Sequence, residues 1–336
     1  MSMRWYVARR VLFAVFATYI ALSLTFGLLV LSPNTGDMQE VLRCTMAGGD
    51  MQDCRDRITS DLTLIQKYRT YVVNMFTFDW GWSELRAQPV TTALAQAWPR
   101  SAQFMIPSVL LSMLVGYGIG LYSSVNQYTT TDYVGAFVAF FGLSIPNFWF
   151  AIILILVFGV WVRSASLFGI SLQPLALPVF YDTTVLDKHG MFSWANVRQL
   201  ILPIIVVSTG AIAGQMRYAR AQALEHVNSE FVKVAKAKGA GEWRLVLRHV
   251  FRVALVPLST FLVGQFLGLL WTGSIVIETI FQIPGIGLLT IAAIQDGDTP
   301  LVMATTLIPV FLAIFGNLLQ DLAYVVFDPR IDYGDR

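Results

Sequence analysis

Glu230-Phe-Val-Lys-Val-Ala-Lys-Ala-Lys-Gly239-Ala-Gly-Glu242-Trp-Arg-Leu-Val-Leu-Arg248-His-Val-Phe-Arg252 is a polar island in an otherwise apolar chain. Eight of the 23 basic residues fall between Arg217 and Arg252, and apolar segments flank the island on both sides. Ala235, Lys236, Ala237 and Lys238 are good helix formers. Gly239-Ala240-Gly241 interrupts that helix, because glycine is the usual residue just past a helix C-terminus. Glu242 opens a second helix, where a carboxylate suits the positive end of the dipole. The stretch therefore predicts a helix–turn–helix lying along a membrane face, a projection able to enter a groove on another protein and move with it. A basic helix resting on anionic headgroups, at about 1 kcal/mol per basic residue, carries the same charge. The glycine break, Glu230, Glu242 and the downstream Pro257 favour docking.

Composition places the rest of the chain. It is 56% hydrophobic and 13% charged, with mean hydropathy +0.62, against roughly 25% charged in soluble domains. Too few charges are present to cover a water-facing surface, so the bilayer is the expected solvent. Six spans are expected, at about 10–31, 102–123, 134–161, 199–221, 253–277 and 301–326. The first is too long for a signal-peptide core and has no small-residue cleavage site, so it reads as a retained helix. The third contains Ser144-Ile-Pro146-Asn147, and proline there removes a backbone donor. One kinked span and two short ones both fit that pattern, and two would invert everything downstream.

The distribution of basic residues favours six spans with both termini inside. That arrangement puts thirteen Lys and Arg inside and ten outside, for net charges of +5 and −3. Seven of the ten outer basic residues lie in one long loop, where they count for less. The connection at 124–133 carries no Lys or Arg. Residues 32–101 make the longest non-spanning region, with a helical pattern from Leu62 to Phe78 and interface tryptophans Trp80, Trp82 and Trp98. The organisation reads as a tail and first span (1–31), an outer loop domain (32–101), a core (102–326) holding the cationic loop at 222–252, and an inner tail (327–336).

Several segments resemble one family. Phe231 to Gly239, Leu247-Arg-His249 and Ala254-Leu-Val-Pro257 are similar to the EAA loop of ABC importer permeases, in the dipeptide/oligopeptide/nickel branch. Arg9-Arg10, Gly142-Leu-Ser-Ile-Pro-Asn-Phe-Trp149, Ile277 to Gly287, Asp321-Leu-Ala-Tyr324 and Asp328-Pro-Arg330-Ile-Asp-Tyr333 resemble that branch's other signatures. Lys233 and Val234 stand where the loop's naming Glu and first Ala would be, and the usual basic residues between spans two and three are absent. The resemblance covers nearly the whole chain. It implies an all-α membrane protein with the six-helix type I importer permease fold and an extracytoplasmic loop domain between helices one and two. It also implies half of a translocation path for solute delivered by an extracytoplasmic binding protein, in a multi-pass cell-membrane complex. The implied partners are a second homologous permease and two cytoplasmic ATPases, which would carry ATP and Mg. Peptide is the family default; nickel or other metal chelates and oligosaccharides are alternatives. The resemblance also places ATPase-coupling residues at Glu230, Ala235, Lys236, Lys238, Gly239, Ala240, Glu242 and Arg248. Gly239 and Ala240 would let backbones approach closely.

The remaining features are read from the residues themselves. Glu278, Gln282, Pro284 and Gly285 suggest an outer gate or lip of the path, or else a tight turn, since Pro284-Gly285 cannot continue a helix. Gln265 is a weaker path candidate. Gly116/Gly120, Gly210/Gly214 and Gly264/Gly268 read as helix-packing pairs. Cys44 and Cys54 would face the oxidising side, where a disulfide would contribute somewhat under ~3 kcal/mol. His189, His226 and His249 have no paired metal spacing. No G-x-x-x-x-G-K-[ST] phosphate loop and no nucleophile–base set occurs, so the chain is not expected to be an enzyme or to bind ATP in that way. A secondary transporter or channel driven by an ion gradient is the rival class. It finds little support in the absence of an obvious inverted repeat and the scarcity of intramembrane charges.

Overall fold

The structure, a computed structural model, describes residues 3–31, 48, 50, 52–53, 63–167, 170–227, 229–255, 258 and 274–327. Cys44, Cys54, Gln265, the Gly264/Gly268 pair and the C-terminal signature from Asp328 lie outside these residues, as does most of the expected fifth span. Five described helices have the length and composition to cross a bilayer: Val7–Gly27, Val90–Val125, Asn147–Ser164, Trp194–Val227 and Thr299–Leu319.

The first helix, α1 (Met3–Leu31), is followed by α2 (Leu64–Thr77), where the sequence pattern placed a helix. Thr63 and Gln66 form a reciprocal capping box that starts α2. Tyr68 of α2 shares a 2.7 Å hydrogen bond with Ser23 of α1. A short hairpin, β1 (Trp82–Ser83) and β2 (Gln88–Pro89), leads into α3 (Val90–Val125).

At 36 residues, α3 spans about 54 Å, well beyond the ~30 Å hydrocarbon core. It begins at Val90 rather than near residue 102, so the last part of the expected loop domain is the helix's N-terminal end. Beyond it come α4 (Thr130–Ser144) and α5 (Asn147–Leu154), which continues helically with wide turns at Ile155–Trp161 to Ser164. A second hairpin, β3 (Ser166–Leu167) and β4 (Ile170–Ser171), and the short α6 (Thr183–His189) precede α7 (Trp194–Val227).

The long helices α3 and α7 pack side by side and run parallel. Asn196 Nδ2 donates to Gln103 Oε1 at 2.7 Å, and Ser208 Oγ donates to the Ser108 carbonyl at 3.2 Å. Further along, a Cβ added at Gly116 would sit 2.9 Å from the Ile212 carbonyl, and one at Gly120 would collide with that of Met216. Contact positions on the two helices therefore rise together. Two parallel spans need an odd number of crossings between them, and α4–α5 supplies one.

Along α4–α5 the contact order with α7 is reversed. Asp132 pairs with Arg220, Gly142 abuts Thr209, and Ala151 and Leu154 share a buried cluster with Leu200 and Val206. The interruption at Pro146 is thus a break within one antiparallel span. Ile145, the residue before proline, is forced into extended backbone (φ −87°, ψ 125°).

The chain resumes with α8 (Glu230–Ala237) and α9 (Glu242–Arg244), which continues into wide turns at Leu245–Val250. The last described part is α10 (Ile275–Phe281), α11 (Ile286–Asp296) and α12 (Thr299–Phe327), with α10 and α11 bent by 91°. Leu307 of α12 packs with Leu22 of α1 and Met75 of α2. Asp298 accepts from Leu301 N at 3.1 Å, capping α12, and from Ser83 Oγ at 2.6 Å, tying β1 to that cap.

Candidate functional site

The basic island folds as the sequence pattern expects, into two short helices around a glycine turn. Gly239 adopts φ +79°, a left-handed conformation that glycine enters without a Cβ penalty. Its N–H donates to the Lys236 carbonyl at 3.0 Å, and Ala240 N–H donates to the Ala235 carbonyl at 3.1 Å. Those two bonds make a Schellman stop for α8. Gly241 then serves as the N-cap of α9, with Glu242 in its first turn.

One face of this hairpin is anchored and the other is open. Val232, Ala235, Leu245, Val246 and Val250 are buried with Tyr117 and Leu121 of α3 and Ala219 and Ala223 of α7. The hairpin therefore sits on the C-terminal ends of both long helices. Lys236, Lys238, Gly239 and Glu242 are exposed around the turn, with Glu230 and Arg248 exposed to either side. Glu230 pairs with Lys233 at 2.8 Å, an exposed contact worth little in water. Ala235 faces the core, and Ala240 is half-buried beside it. Gly239 has open space around it, so its glycine answers to backbone conformation.

Close to this anchor, Arg220 of α7 holds Asp132 of α4 in an ion pair of 2.9 Å. Asp132 is almost fully buried and also accepts from Tyr128 N at 3.0 Å. Thr129 Oγ1 accepts from Asp132 N, completing the cap of α4. In the sequence, Thr129-x-x-Asp132 ahead of an apolar run is a helix-start signal that marks Asp132 but not its partner Arg220.

At the other end of α3, Glu278 is fully buried in the α10–α11 elbow. Its Oε1 accepts from Ser101 Oγ at 2.7 Å and Ser274 N at 3.3 Å, and its Oε2 accepts from Leu288 N at 2.9 Å. Ser101 Oγ also accepts from Ile286 N at 2.8 Å. The carboxylate thus satisfies backbone donors at the start of α11, where a helix dipole favours negative charge. Gly285 lies against Ser101 and Glu278 so closely that a Cβ there would collide with Ser101 Oγ. Gln282, at φ 54°, is exposed, and Pro284 is half-buried. Of the four gate candidates, Glu278 and Gly285 therefore build the elbow, while Gln282 and Pro284 reach its rim. Ser101, an unremarked serine in an apolar run, carried no sequence signal of this role.

The glycine pairs divide in the same way. Gly116 and Gly120 sit in the α3–α7 contact, while Gly210 lies under Asn147 and a Cβ added at Gly214 would meet open space. Among the described residues no cluster of three or more metal-ligating side chains occurs.

Residues 87–333 match the sequence pattern of the binding-protein-dependent transport system inner membrane component family. The chain is 33% identical over 271 residues to the oligopeptide transport system permease protein AppB of Bacillus subtilis, covering 80% of each. It is 28% identical over 327 residues to the dipeptide transport system permease protein DppB of Lactococcus lactis, covering 97% of this chain and 98% of that one. A putative peptide transport system permease protein of Brucella suis is 31% identical over 334 residues, with the same coverage.

Proposed function

The chain belongs to the family of binding-protein-dependent transport system inner membrane components, and from that premise we propose that it is one permease subunit of an ATP-driven peptide importer. It works with a second homologous permease, two cytoplasmic ATPases and an extracytoplasmic solute-binding protein. Peptide is favoured over metal chelates and oligosaccharides because the relatives are named as oligopeptide, dipeptide and peptide permeases. Both termini lie in the cytoplasm, a reading supported by the excess of basic residues there and by the parallel course of α3 and α7.

The observation that carries the proposal is the anchored hairpin. Its exposed turn offers Lys236, Lys238, Gly239 and Glu242 to a soluble partner, with Glu230 and Arg248 flanking. Its buried face grips the ends of α3 and α7. A partner that moves the hairpin therefore moves both long helices together. ATP-driven closure of the ATPase pair pulls on this handle and opens the outer side to receive solute. Hydrolysis resets the inward-facing state. Gln282 and Pro284 at the elbow rim are the outer-lip residues, and Glu278 and Gly285 hold them in place.

Charge reversal at the turn tests the coupling role. The double variant Lys236→Glu/Lys238→Glu should remain in the membrane, lose co-purifying ATPase and lose ATP-dependent peptide uptake. Full retention of both would refute the assignment. Uptake that follows a proton gradient and ignores ATP would instead favour the gradient-driven class.

A further inference from the structure

A cleft of about 490 Å³ opens halfway along α3 and α7, where the α4–α5 span breaks. Its size falls in the range of small-ligand sites, roughly 300–1,000 Å³. Ser108 and Ser112 of α3, Pro146 and Asn147 at the break, Gly210 of α7 and Ser274 line it. Among the described residues, none that lines it is ionisable.

Asn147 is the cleft's most distinctive group. Its carboxamide lies over Gly210, where an added Cβ would come within 3.0 Å of Oδ1 and 3.5 Å of Nδ2. Glycine at 210 is therefore what admits the amide to this position. Asn147 is exposed on this chain, and among the described residues its carboxamide has no hydrogen-bond partner. An uncovered amide facing lipid at this depth is costly, and irregular backbone inside a membrane is tolerated where it lines a cavity or is covered by protein. Pro146 adds to the polarity, since it offers no N–H to the Gly142 carbonyl. Ser108 and Ser112 spend their hydroxyl protons on the Phe104 and Val109 carbonyls, at 2.6 and 2.9 Å, and are fully buried in the cleft's floor, which leaves Asn147 as the exposed polar side chain of the described lining.

We propose that this cleft is a station for the backbone of a peptide in transit, with the Asn147 carboxamide as its docking group. The inference rests on the peptide-importer reading and adds where the path touches its cargo. A carboxamide presents one acceptor and two donors, so it pairs with a peptide unit through both N–H and C=O. With no charge among the described residues of its wall, the station reads the backbone that all peptides share and discriminates little among side chains.

The test uses the whole complex in proteoliposomes with its binding protein. Asn147→Leu keeps side-chain size and removes the amide. Peptide uptake should fall at least tenfold while binding-protein-stimulated ATP hydrolysis stays within twofold of wild type. Unchanged uptake would overturn the proposal. Should the variant fail to assemble, the wild-type complex is illuminated during turnover with a pentapeptide carrying photo-leucine. Adducts within 105–112, 143–147 or 207–211 support the station, and adducts found only elsewhere refute it. A wild-type complex that hydrolyses ATP but imports no peptide removes the importer reading itself, and this inference with it.

Discussion

Ser101 and Glu278 lie 177 residues apart in sequence and share a hydrogen bond of 2.7 Å inside the protein. Through it, α3 holds the elbow between α10 and α11. Ser101→Ala leaves a buried carboxylate oxygen one donor short and strips Ile286 N–H of its acceptor. Stability should fall by about 1–3 kcal/mol, read as a lower thermal midpoint of the purified protein in detergent. A midpoint equal to wild type would remove Ser101 from the elbow.

The Asp132–Arg220 pair should behave as a buried charge pair. Arg220→Met strands a carboxylate that is only 3% exposed, at a cost of up to about 3–5 kcal/mol. Asp132→Asn/Arg220→Met should recover part of that loss, because the stranded charge is gone. A double variant as unstable as the single one would show that the ion pair is not what matters at this position.

Gly239 should tolerate asparagine better than alanine. Its φ of +79° costs an L-residue roughly 1–2 kcal/mol, with asparagine among the residues that visit this region most readily. No atom lies within 4 Å of its added Cβ, so alanine strains the backbone without a clash. Limited proteolysis between 237 and 241 should accelerate for Gly239→Ala and much less for Gly239→Asn. Equal cleavage of all three forms would contradict the left-handed turn.

Two glycines of the same apparent motif type should respond oppositely. Gly120→Ala drives a Cβ into the Met216 carbonyl, and overpacking of this kind costs typically about 1–3 kcal/mol. Gly214→Ala meets open space and should be neutral or better. Matched thermal unfolding of the two variants checks the contrast, and similar losses in both would refute the α3–α7 contact.

Much of the hairpin is legible in the sequence because its signals are local. The glycine turn, the helix formers before it and Glu242 after it act within a few residues of one another. They reappear as the Schellman stop and the capped second helix. Pro146 likewise announced a break, since a missing N–H acts on the same helix. The hairpin's inward side was less legible. Ala235 resembled a contact residue, but its burial depends on Tyr117 and Ala219 in distant helices. Glu278 resembled a gate for the same reason, because its partner Ser101 sits in another helix.

From the residues alone came the membrane class, the apolar segments, the basic hairpin and the breaks at Pro146 and Pro284. Each follows from transfer of apolar side chains out of water or from backbone chemistry confined to a few neighbours. Only the packed helices decided that residues 130–164 cross once and that Glu278 is an internal clamp. Such outcomes depend on which groups meet when parallel helices close on small residues, and a linear order of side chains does not contain that distance.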